Sequence, residues 1–367
     1  MSGERRKKFV VTIATVAATA MASLPSTTGR AQAPAPAPAG PAAPKSDALR
    51  GDEITPQLEA TVAKGLEWLA SQQRSDGGFE GAGADSAITS LAALAFMADG
   101  NLPNRGKYGP QVQRALDFVL GQAQESGLLA ARNSNGNMYA HGFATLFLAE
   151  VYGMTGDEMV KERLQKAIRL IHQAQNPQGG WRYTPQPADA DVSVTICQVM
   201  ALRAARDAGI KVEKACIDRA VDYVKKCQND DGGFSYVIGQ GGGSIFPRSA
   251  AGVATLFYAG IYEGEEVRKG VAYVERFIPK NNGRNAEAMS GHYFYGQYYA
   301  VQSMFLAGGV HWAKWFPAIR EELIRTQLAP GNWTGDNSEA YATSMALIIL
   351  QMPKRYLPVF SGKGPGS

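Results

Sequence analysis

The chain has 367 residues, 45% of them hydrophobic, with 37 Lys and Arg against 33 Asp and Glu. That is enough apolar chain for one large core or two ordinary ones. Arg5, Arg6, Lys7, Lys8 and Arg30 sit with Glu4 in residues 1–33, so the remainder is near neutral and offers no basic face for nucleic acid, while three cysteines exclude a disulfide framework.

Residues 1–33 read as an export leader, a basic start followed by a mildly apolar run from Phe9 to Leu24. The run is too short and too weakly apolar for a stable span after processing, so the expected location is the periplasm or the exterior. Residues 34–53 open on alternating Ala and Pro, the composition of an extended spacer.

The body, residues 54–352, carries a repeated turn. Gln73 is followed by Gly77, Gly78 and Phe79; Gln175 by Gly179, Gly180 and Trp181; Gln228 by Gly232, Gly233 and Phe234; Gln327 by Gly331, Asn332 and Trp333. Gln175 and Gln228 are 53 residues apart, and the flanking gaps of 102 and 99 each hold a skipped copy, so there are six units. The skipped copies fall near Gln122–Gln124 and Phe277–Gly283, where the glycine and aromatic punctuation is expected to have decayed. Each glutamine ends an amphipathic stretch, and a more evenly apolar stretch follows each aromatic, as in Cys216–Cys227 against Ser249–Ile261. Six pairs of an outer amphipathic and an inner buried helix make a closed ring. Glycine suits the left-handed turn, glutamine the freed backbone groups, and the aromatic the junction, so these residues are structural.

Together with Lys64, Gly65 and Leu69, the first copy resembles the QW repeat of squalene and oxidosqualene cyclases. The resemblance implies an all-α fold, an α6/α6 toroid of six helical hairpins like the terpenoid cyclase and protein prenyltransferase domains. It also implies, without establishing, an apolar isoprenoid-like ligand in a central cavity.

Connections from the aromatic to the inner helix are long in the four middle units, which marks that rim as the functional mouth. These loops hold Arg132, Asn133, Asn135, Asn137, Tyr139, His141, Tyr183, Asp189, Asp191, Arg248, Arg284, Glu287, His292, Tyr293 and Tyr295. Asp189 and Asp191 stand where the resembled cyclases place an Asp-x-Asp-Asp acid, with Val192 in place of the third aspartate. A carboxylic acid held protonated there would protonate an alkene; Asp191 is equally suited to capping the next helix. His141 and His292 are candidates to hold or relay that proton, with a structural hydrogen-bonded role as the alternative. Tyr139, Tyr183, Arg248, Tyr293, Tyr295 and Tyr298 are the candidate ligand-binding residues, rings suited to a cation, a terpene-like chain or a sugar.

No cofactor or metal is expected: the residues two before Cys197, Cys216 and Cys227 are Thr195, Lys214 and Lys225, not the aspartate of the prenyltransferase zinc site, and Gly239–Gly243 lacks the lysine of a phosphate loop and reads as a flexible lid. The cysteines read as small buried hydrophobes. The tail, residues 353–367, is expected to pack Tyr356–Phe360 onto the body. Three functions remain: ligand binding with acid-initiated cyclase or isomerase chemistry, a non-catalytic interaction module with a protein partner, or carbohydrate chemistry in the toroid.

Overall fold

In the computed structural model the described residues are 53–81, 83–131, 137–239, 243–280, 292–335 and 337–360. The leader, the spacer up to residue 52, most of the Gly239–Gly243 stretch, and Arg132, Asn133, Asn135, Arg284 and Glu287 lie outside them. Twelve α-helices fall within them as six hairpins: α1 (Pro56–Ser71) with α2 (Asp85–Met97), α3 (Gly109–Gly121) with α4 (Asn137–Thr155), α5 (Glu158–Ala174) with α6 (Val192–Asp207), α7 (Lys214–Lys226) with α8 (Phe246–Tyr258), α9 (Glu265–Glu275) with α10 (Tyr293–Ala307), and α11 (Gly309–Thr326) with α12 (Glu339–Gln351). No helix among the described residues is long and apolar enough to cross a membrane.

The even-numbered helices form the inner ring. α2 packs on α4, α4 on α6, α6 on α8, α8 on α10, α10 on α12, and α12 returns to α2. All twelve residues from Ser86 to Met97 are buried in α2, whereas α7 buries one stripe, Cys216, Ile217, Ala220, Val221, Tyr223 and Val224. The contrast follows the predicted periodicity.

The repeated turn stitches one unit to the next. Gln73 Nε2 donates to Gly77 O and to Gln111 O at the start of α3, both at 2.9 Å. Gln175 does the same to Gly179 O and Cys216 O, and Gln228 to Gly232 O and Glu266 O. Each glycine has positive φ and lies against a carbonyl of the neighbouring outer helix; a Cβ on Gly179 would stand 2.1 Å from Arg219 O. A side chain has neither the conformation nor the room there. The aromatic is buried, and its N–H donates to a hydroxyl of the inner helix: Phe79 to Thr89, Trp181 to Thr195, Phe234 to Ser249, Trp333 to Thr343. Burying such a ring stabilises by about 1.5–3 kcal/mol.

The second unit corrects one expectation. Its glycine is intact, since Gly127 has φ 92° and lies against Lys166 O; the losses are the glutamine, replaced by Ala123, and the aromatic, replaced by Leu129. In the tail, Leu357, Val359 and Phe360 are buried and the Pro358–Phe360 turn packs on α4 and α6, while Tyr356 stays 52% exposed.

Candidate functional site

Asp191 lies at the end of the loop that follows Trp181, and its backbone N–H donates to Trp181 O at 2.9 Å. That contact turns the side chain inward at the head of α6, where Oδ1 caps the helix by accepting from Val194 N at 2.8 Å. The capping role is therefore real. The carboxyl is also fully buried, and Oδ2 has no hydrogen-bond partner. Burial pushes its pKa up to about 6, against the opposing pull of the Val194 amide, Arg182, the Ser193 amide and Tyr236.

Arg182 is the cation of this site. Its Nη1 pairs with Asp189 Oδ2 at 2.9 Å, its Nε stands 3.5 Å from Asp191 Oδ2, and its Cζ lies 5.1 Å from the Tyr183 ring centre and 5.2 Å from that of Tyr236. The Tyr183 and Tyr236 hydroxyls hydrogen-bond to each other. These tyrosines occupy the same place in successive units, two residues past Trp181 and Phe234. Tyr139 of α4 sits 6.1 Å from Tyr183, ring to ring, and Tyr295 of α10 donates to Ser193 O at 3.0 Å. Behind them the ring is packed: Tyr299 meets the Cys197 thiol at 3.3 Å, and Tyr298 reaches the Met200 sulfur at 3.7 Å. Burial pushes the Cys197 thiol up to about 12.

Asp189, Asp191, Tyr139, Tyr183 and Tyr295 thus come together. The other candidates do not join them. His141 is wholly buried, accepts from Leu129 N at Nδ1 and reaches Ala167 O with Nε2; burial lowers its pKa to about 4. It takes the place that Thr89, Thr195, Ser249 and Thr343 hold in other units, so it is a neutral structural group. His292 is exposed, with left-handed backbone, ahead of α10. Tyr293 turns outward to Glu322 of α11. Tyr298 is in the filled interior, and Arg248 binds Phe234 O and Gly243 O in its own unit.

Arg182 and Tyr236 were not singled out from the sequence. A signal existed for both: aligned on the turn, the residue after the aromatic is Glu80, Arg182, Ser235 or Thr334, so a lone cation stands beside two aspartates, and Tyr183 recurs as Tyr236.

Residues 47–285 match the prenyltransferase alpha-alpha toroid domain. The chain belongs to this family. Squalene–hopene cyclase of Zymomonas mobilis is 23% identical over 230 residues, 55% of this chain and 33% of that protein, so the chain spans about a third of that relative. Among solved structures, the type II terpene cyclase MstE from Scytonema superposes with a TM-score of 0.59 at 16% identity, covering 83% of this chain and 100% of that one. Its variant bound to the substrate geranylgeranyl dihydroxybenzoate gives 0.57 at 13%, covering 83% and 98%. An inactive α-1,6-mannanase of Salegentibacter in complex with α-1,6-mannotriose gives 0.58 at 10%, covering 81% and 99%. At these identities the likeness is one of fold, and this toroid family shares its architecture with a glycoside hydrolase.

Proposed function

We propose that this exported, terpene-cyclase-like toroid takes an apolar, isoprenoid-like ligand at the rim where α4, α6 and α10 begin, with Asp191 as the group that delivers a proton. The observation that carries this reading is the Asp191 carboxyl: buried, with one oxygen given to the helix cap, the other 3.5 Å from Arg182 Nε without a hydrogen bond, and a pKa pushed up to about 6. A proton passing from it to an alkene carbon makes a C–H bond and leaves a carboxylate and a carbocation. With the Tyr183 and Tyr236 rings holding Arg182, the rings of Tyr139 and Tyr295 are the ones to stabilise that cation, and the carboxylate recovers a proton when the cation loses one, so the product is an isomer and nothing is consumed. The substrate-bound terpene cyclase of the same fold supports the choice of ligand class. The basic-then-apolar leader supports export.

The test is native mass spectrometry of protein purified from its host, followed by extraction of bound lipid and repetition with Asp191→Asn. A bound isoprenoid that the variant loses or leaves untransformed is the expected result. No extractable lipid, together with a variant unchanged in binding and stability, ends this reading.

A packed interior favours a second reading, an interaction module with no ligand inside. Met200 and Phe257, on the inner helices α6 and α8, are each 1% exposed, and Tyr298 and Tyr299 are fully buried. A ligand would therefore have to be taken at the rim, and the same rim would be the contact surface for a protein partner. A partner captured by immobilised wild-type protein and lost on Tyr183→Ala, with no lipid present, would favour the module.

A further inference from the structure

Four contacts fix Arg182. Its Nη1 pairs with Asp189 at 2.9 Å, and its guanidinium carbon sits 5.1 and 5.2 Å from the ring centres of Tyr183 and Tyr236. The hydroxyls of those two tyrosines bond to each other, which closes the clamp. The remaining contact, Nε to Asp191 Oδ2, is a long ion pair of 3.5 Å and not a hydrogen bond, so that oxygen accepts no hydrogen bond. An arginine this close to a bare carboxylate oxygen would normally close onto it in a charge-assisted pair.

We propose that Asp189 is a positioning residue whose task is to hold Arg182 back from hydrogen-bonding Asp191, so that Asp191 binds its proton more tightly than an arginine-bonded carboxyl would. The proposal rests on the reading of Asp191 as the proton-delivering group, and it removes Asp189 from the list of acids. Geometry favours the division: Asp189 is 62% exposed while Asp191 has no exposed side-chain surface. The other titratable groups facing Asp191 are held neutral by burial: Tyr139 from α4, Cys197 from α6, Tyr223 from α7 and Cys227 just past its end, Tyr236 before α8 and Tyr295 from α10. Arg182, tethered by Asp189, is then the nearby charge that can shift the balance that burial sets at Asp191. Loss of the tether would let Arg182 close the 3.5 Å ion pair with Asp191 into a hydrogen-bonded one.

The experiment follows the titration of Asp191 by carboxyl-carbon NMR of aspartate-labelled full-length protein, with the signal assigned by its absence in Asp191→Asn. Asp189→Asn is expected to lower the Asp191 midpoint by about one unit or more, the effect of an opposite charge brought into contact. Arg182→Gln should raise it, and the double variant should titrate like Arg182→Gln alone. The proposal is overturned if Asp189→Asn leaves the midpoint in place, or lowers it equally in the Arg182→Gln background, since Asp189 would then act by its own field. Should Arg182→Gln fail to fold, repeating Asp189→Asn in about 1 M salt decides the matter: a contact survives that screening and the field of an exposed carboxylate does not. The readout is the carboxyl itself, so absence of any bound lipid would sink the ligand reading and leave this one standing.

Discussion

The Arg182 Nε lies 3.5 Å from Asp191 Oδ2 yet makes no hydrogen bond to it. A buried carboxyl that a cation approaches without hydrogen-bonding to it retains its proton more readily than an exposed one, and its protonation state enters the stability of the fold.

Asp191 has a folded-state pKa of about 6 against an ordinary 3.8. Its contribution is complete below the unfolded value, is lost as pH rises through about 6, and is constant beyond. Asp191→Asn keeps an acceptor for the Val194 amide without the ionisation. Measured by urea unfolding, the variant should gain on wild type by on the order of 2 kcal/mol between about pH 4 and 7; a difference independent of pH would contradict the assignment.

Glu150 is buried, accepts the Val359 N–H at 3.2 Å, and has its pKa raised to about 8 by burial from an ordinary 4.5. Its contribution is likewise full below about pH 4.5 and fades as pH rises through about 8. Between pH 7 and 9 wild type should lose thermal stability that Glu150→Gln retains. Hydrogen exchange at Val359, compared between the two at each pH, should locate the loss in the tail.

His141 is depressed to about 4 from 6.5 by burial. Its neutral form contributes stability that is full above about pH 6.5 and is lost as pH falls through about 4. Because other units use threonine or serine at this place, His141→Thr should fold and should blunt the acid sensitivity. His141→Ala should cost about 1–3 kcal/mol at neutral pH by orphaning the Leu129 amide. Denaturant midpoints at pH 5 and 7.5 distinguish these outcomes.

Gly179 has φ 105°, and a Cβ there would lie 2.1 Å from Arg219 O, whereas a Cβ on Gly121 has nothing within 4 Å. Gly179→Ala should therefore destabilise by more than about 2 kcal/mol in thermal melts. Gly121→Ala, at the end of α3, should be neutral or gain up to about 1 kcal/mol. Equal effects at the two sites would show that the turn does not depend on close approach.

The ring was legible because it rests on local punctuation repeated in register: Gln228, Gly232 and Phe234 occupy their places in three other units. The candidate site was legible only in part. Asp191 could be found because an aspartate before an apolar run is a local signal, although the same signal announces a helix cap, and the side chain does both. Arg182 was overlooked because its meaning comes from Tyr236, which the fold brings beside it from another unit. His141 misled for a related reason: a titratable residue in the mouth loop looked like chemistry until the backbone amide of Leu129 was seen to occupy it. Tyr293 and Tyr298 share a helix with Tyr295, but the helical period sends one outward to Glu322 and the other into the packed interior.

Gln327 Nε2 donates to Gly331 O and, at 2.9 Å, to Thr61 O in the first helix of the ring. An open stack of hairpins needs polar caps on its end repeats and can lengthen by duplication. Here the last turn is spent on the first unit, so no repeat is terminal and none is free to accept a newcomer. The number of units is consequently fixed by closure, and diversification of this architecture is confined to what can be changed without altering the count, the loops that follow each aromatic residue.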